Sequence, residues 1–109
     1  MSGLDIRAKA EALRSVSATT FTGSYQVLGT PLSNPARVIK LVNDSSVLVT
    51  VSYDGVTDQE ILPIGSFVLI DFSANREVGN QFEMAANTQI WIKGVAGTGS
   101  VYLSVYYAG

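Results

Sequence analysis

After Arg14 the chain alternates apolar and polar residues with a period of two, and this pattern restricts most of it to β-strands. In "SVLVTVSYDG" (46–55), Val47, Val49, Val51 and Tyr53 face one way, while Ser46, Thr50 and Ser52 face the other. The stretch ends in Asp54-Gly55, a strong hairpin-turn dipeptide. "SVYLSVYY" (100–107) repeats the pattern, with Val101, Leu103 and Val105 set against Tyr102 and Tyr106.

Between these lie further short segments with turn chemistry at their ends. "SVSATTFTGSYQVLG" breaks at Gly23 and Gly29, so it reads as two short strands or one bulged strand. "TPLSNP" is a loop, and "ARVIKLVN" is a strand closing in a turn at Asn43-Asp44-Ser45. "QEILPIG" is an edge strand, because Pro63 has no N–H to donate to a ladder. "SFVLIDF" is apolar on both faces, as a central strand would be, and "SANREVGNQFEMAAN" is the longest irregular stretch. "TQIWIKG" and "SVYLSVYY" are expected to form a last hairpin across the glycine turn "GVAGTG". Seven or eight short strands in 109 residues point to one all-β domain, an antiparallel β-sandwich of jelly-roll-like kind, over 16–109.

The N-terminal arm, 1–15, has a different pattern. Over residues 2–14, Ser2 and Asp5 form a capping-box-like pair, and Ile6, Ala10 and Leu13 share a helical stripe. The expectation is a short amphipathic α-helix, which at this length must dock on something to be stable.

The residues present narrow the chemistry. There is no histidine and no cysteine, which removes the usual general base, thiolate metal sites and disulfides. The net charge of −2 gives no basic face for nucleic acid. No apolar run approaches the roughly 20 residues of a membrane span. The charged N-terminus lacks the apolar centre of a secretory signal. Only 15% of residues are charged, and five of the sixteen charges fall in the first fourteen residues. The remaining surface is thus poor in charge, as expected of a domain buried against other copies or another protein.

Three constellations could carry a site. "GVAGTG" lacks the Lys-Ser/Thr ending of a P-loop and opens no helix, so it reads as a turn. Asp54, Asp58 and Glu60 could offer oxygens to calcium, but glycine directly after the first aspartate breaks the EF-hand spacing. Trp91, Tyr102 and Tyr106 alternate against core positions and form an outward aromatic stripe, suited to a protein interface or to stacking on sugar. With Ile6 and Leu13 of the arm, they make up the expected interface set. No positioned base or paired carboxylate supports an enzyme, and no cofactor is expected.

The order "RVIKLVNDSSVLVTVSYDGVTD", "ILPIGSFVLIDFSANRE", "TQIWIKGVAGTGSVYLSVYY" resembles small virion structural proteins of tailed bacteriophages. The resemblance runs from about Arg37 to Tyr107 and is closest to the capsid cement (decoration) proteins of short-tailed phages. It implies a protein made in the host bacterial cytoplasm that sits on the outer capsid surface. There it would staple the major capsid protein as a homodimer or homotrimer, without nucleic acid or membrane as partner. A head–tail connector or tail component, and a carbohydrate- or calcium-binding β-sandwich module, are the alternative readings.

Overall fold

The computed structural model describes residues 8–71 and 84–108. They form nine strands in two antiparallel sheets: β1 (Ala8–Ala10), β2 (Arg14–Ser17), β3 (Gln26–Val27), β4 (Val38–Ser45), β5 (Val49–Ser52), β6 (Glu60–Leu62), β7 (Phe67–Asp71), β8 (Trp91–Lys93) and β9 (Gly99–Ala108). The first sheet has the order β1-β9-β4-β7, with β2 also on β9; the second has the order β3-β8-β5-β6.

Pairing is nested. β2 pairs with β9, β3 with β8, β4 with β7 and β5 with β6, each antiparallel. Two further ladders, β4 to β9 and β5 to β8, join these pairs into the sheets. The alternation placed Val49 and Val51 on one face of their strand, and Val101, Leu103 and Val105 on one face of theirs, and both sets are buried. Ile39 and Leu41 of β4, and Val101, Leu103 and Val105 of β9, are buried from one sheet; Val49, Val51, Leu62 and Ile92 are buried from the other. Both sets belong to a single cluster, completed by Phe21, Leu28, Leu32 and Ile90 from the connections, so the arrangement is sandwich-like.

Several local expectations are corrected. The amphipathic helix over 2–14 does not form where the chain is described: Ala8–Ala10 and Arg14–Ser17 are strands that line one edge of β9. The reason is tertiary. A ten-residue β9 offers more backbone partners than a short helix can satisfy alone. Residues 1–7, including Ile6, lie outside the described residues. The chain leaves the edge of β9 after Glu11, whose N–H still donates to Val105 O at 3.0 Å, and the register shifts by one between β1 and β2.

The final hairpin is also absent. β8 and β9 belong to different sheets, so Gly94–Gly99 is a crossover between sheets. Gly99 is required at its end: its φ is +81°, and a Cβ there would run into the Asp44 carbonyl oxygen and come within 2.9 Å of Ser45 Cα. Both obstacles are backbone. The turn expected at Asn43-Asp44-Ser45 is strand instead, with β4 running through Ser45 before the chain crosses to β5. β7, expected to be central, pairs only with β4 among the described residues, with Phe67 and Leu69 exposed. Among the described residues β6 pairs only with β5, at the end of its sheet, as Pro63 implied.

Candidate protein interface

Cross-strand neighbours in an antiparallel ladder share a face, so the register defines what each sheet presents outward. On the first sheet, Phe67 lies opposite Val42, and Val42 opposite Tyr102. One step along, Leu69 lies opposite Lys40, and Lys40 opposite Ser104; the next row holds Asp71, Val38 and Tyr106. This face is therefore largely apolar and aromatic over three strands, interrupted by Lys40, Ser104 and Asp71. The Lys40 Nζ sits over the Phe67 ring at 5.3 Å from its centroid, which keeps the charge at the margin of the ring and in reach of solvent. Phe67 is 64% exposed and Leu69 55%, values too high for ordinary sandwich positions.

The second sheet is organised differently. Trp91 lies opposite Ser52 on one side and Val27 on the other, and the β5–β6 loop folds over it. A Cβ on Gly55 would reach within 2.9 Å of the indole, so the loop backbone rests directly on the ring. Asp54 holds that loop: its Oδ1 accepts from Val56 N at 2.8 Å, Thr57 N at 2.7 Å and the Ser52 hydroxyl at 2.7 Å. These donors hold its carboxyl well below the usual carboxylate range, the Thr57 N–H most of all.

Further along the same loop, the Tyr25 hydroxyl donates to Asp58, and Lys93 Nζ approaches Asp58 at 3.0 Å. Lys93 also lies 4.6 Å over the Tyr25 ring. The Tyr25 bond, followed by Lys93, lowers the Asp58 carboxyl. Loss of solvent, then the bond and charge of Asp58, push the Tyr25 phenol up to about 12. Tyr53 is also raised to about 12, by burial and then by Glu60. An alkaline titration followed at 295 nm is therefore expected to show two of the five tyrosines ionising near pH 12. Tyr25→Phe and Tyr53→Phe should each remove one of these late steps. A Tyr25 that ionises near pH 10 would mean that its bond to Asp58 does not form.

The expected interface residues are thus not brought together. Tyr102 and Tyr106 lie on the outer face of the first sheet, Tyr106 being 38% exposed. Trp91 lies on the outer face of the second, half-buried under Gly55. Leu13 is 60% exposed on the rim of a groove of about 460 Å³ that Arg14, Gly29 and Thr30 also line. The sequence reading missed Phe67 and Leu69, because a strand apolar on both faces looks central until its neighbours are known. Asp54 and Asp58 serve the loop and the Tyr25–Lys93 cluster, and no group of three or more acidic residues that could hold a metal occurs among the described residues. Among them, no helix is long and apolar enough to cross a membrane.

No family model matches the chain, and no curated protein matches it. Among solved structures, a chain from Bacillus endospore appendages, described as disulfide-linked pili, aligns at TM-score 0.49 and 12% identity over 98% of this chain and 93% of that one. A likeness that loose carries no argument. A chain of the cyanophage Pam1 capsid asymmetric unit aligns at TM-score 0.55 and 15% identity, over 99% of this chain and 89% of that one. At this identity what the two share is the fold, over nearly the whole length of both chains.

Proposed function

We propose that this chain is a virion structural protein, a cement or decoration protein that binds the major capsid lattice from the outer surface of a phage head. The observation that carries the reading is the fold likeness to a chain of a phage capsid, which spans 99% of the chain. The winding supports it. Strand orders β2-β9-β4-β7 and β3-β8-β5-β6, built from four nested pairs, are those expected of an eight-stranded jelly roll, an architecture widely used in capsids. The low charge content and the apolar outer face of the first sheet fit a domain that works while covered. The role is one of binding without catalysis: many modest contacts repeated over a lattice hold it together by avidity.

Quantitative mass spectrometry of purified particles of the source phage tests this. A cement protein is expected in a fixed ratio to the major capsid protein, in hundreds of copies per particle. About a dozen or fewer would place the chain in a ring at the neck or tail, as ring symmetry requires. Absence from the particles would overturn the reading.

A further inference from the structure

Asp54-Gly55 is the only place in the chain where glycine follows an aspartate or an asparagine. Such a pair is chemically labile. The Gly55 nitrogen, unhindered by a side chain, can attack the Asp54 carboxyl carbon, and water leaves as a five-membered succinimide closes. Water then opens the ring at either carbonyl. One product is aspartate again; the other is isoaspartate, in which the main chain runs through Cβ and Cγ. No oxidant or cofactor takes part, and Asp54 is exposed to the water that the second step consumes.

The turn restrains both reacting groups. Gly55 N–H donates to the Ser52 hydroxyl oxygen at 2.9 Å, which fixes the peptide unit that must turn toward the Asp54 side chain. The Asp54 N–H donates to the same oxygen at 3.2 Å. Ser52 is itself fully buried on β5, in register with Trp91, so this anchor belongs to the sheet. The carboxyl is restrained through its charge. Its oxygen can leave as water only from the protonated acid, whereas Asp54 Oδ1 accepts from Val56 N, Thr57 N and the Ser52 hydroxyl. Each of these bonds favours the carboxylate and disfavours the acid.

We propose that Asp54-Gly55 is a latent isoaspartate site, kept unreacted in the folded chain by Ser52 and the Val56 and Thr57 amides, and free to react when this turn opens. Isomerisation lengthens the backbone by one carbon where Gly55 rests on the indole, so the modification is transmitted to Trp91. The inference goes beyond the virion reading and does not depend on it, because the reaction is followed on the purified chain alone.

The chain is aged in warm neutral buffer, folded or in urea, and the isoaspartate at each aspartate is then measured by electron-transfer fragmentation of its peptides. The folded wild type should isomerise at Asp54 about tenfold more slowly than the unfolded chain, since reaction is confined to the opened turn. Ser52→Ala removes the acceptor for Gly55 N–H and one donor to Asp54, and should abolish most of that difference. Asp44, followed by Ser45 within β4, serves as the internal reference and should react no faster in Ser52→Ala than in the wild type. Emission from the single tryptophan should move to longer wavelength as isoaspartate accumulates. Equal rates in the folded and unfolded wild type, a Ser52→Ala rate no higher than the wild type, a parallel rise at Asp44, or an unmoved emission in the isomerised fraction would each overturn the assignment.

Discussion

Arg14→Ala is expected to lower the unfolding free energy by about 3–5 kcal/mol, because it leaves the Glu11 carboxylate buried without its cation. The side chains of this pair are 8% and 6% exposed, and Arg14 Nη2 lies 2.8 Å from Glu11 Oε1. The guanidinium also donates to Thr30 O at 2.8 Å and Pro31 O at 2.9 Å. Its stem lies against Gly29, where a Cβ would come within 2.8 Å of the Arg14 Cβ and Cγ. Glu11 in turn accepts from Asn34 N and Asn34 Nδ2, both at 2.9 Å, and from Ser33 N at 3.3 Å. The pair thereby ties the break between β1 and β2 to the loop that follows β3. Glu11→Ala combined with Arg14→Ala should cost clearly less than the sum of the two single changes, since the second loss leaves no isolated charge. Additive single and double changes in urea unfolding would show that the pair is not coupled.

The same site predicts a pH response. Burial acts to raise the Glu11 carboxyl, but the bonds from Asn34, Arg14 and Ser33 outweigh it, and the pKa falls below its ordinary 4.5. A carboxylate lowered in the folded state stabilises the fold fully above its unfolded value, and that contribution is lost as pH falls through the folded value. Stability should therefore drop on acidification below about pH 4.5, and drop less steeply in Glu11→Gln.

The second large effect is expected at Asn43. Its side chain is fully buried on β4 and faces β6 of the other sheet. Nδ2 donates to Val47 O and Leu62 O, both at 2.9 Å, while Oδ1 accepts from Ser45 N at 3.1 Å and from the Ser45 hydroxyl. Asn43→Ala should cost about 3 kcal/mol, since it opens a cavity and removes the amide that donates to Leu62 O of β6 and to Val47 O of the connection between the sheets. Asn43→Asp has nearly the same shape but cannot donate to Val47 O or Leu62 O, so it should do at least as much damage. A loss under about 1 kcal/mol in either variant would mean that solvent replaces the amide at this point.

Neither site was legible in the sequence, and the reasons differ. "AKAEALR" (8–14) satisfies two periods at once. Ala10 and Leu13 fit a helical stripe, yet Ala8, Ala10 and Ala12 also alternate strictly with Lys9, Glu11 and Leu13. Local pattern cannot separate the two; the free edge of β9 does. Asn43-Asp44-Ser45 has the composition of a turn, and only its position over the other sheet makes Asn43 a buried connector. The interface residues split for a related reason. Trp91 and Tyr102 are both outward on their own strands, but alternation carries no information on which sheet a strand joins.

By itself, the sequence determined that the chain after Arg14 is β-structured, which residues of the cleanly alternating strands β5 and β9 face the core, and that histidine and cysteine chemistry is excluded. Those properties are local: side-chain direction follows the two-residue repeat of an extended backbone, and proline and glycine act where they stand. Which strands are neighbours was decided only in the tertiary structure. β8 and β9 are separated by a short glycine-rich link, yet each pairs with strands far away in the chain. Crossing between sheets lets both inner faces close over one core, a larger gain in buried apolar surface than a local hairpin provides. That same choice leaves Phe67 and Leu69 of β7 outward, on the face of the first sheet away from the core.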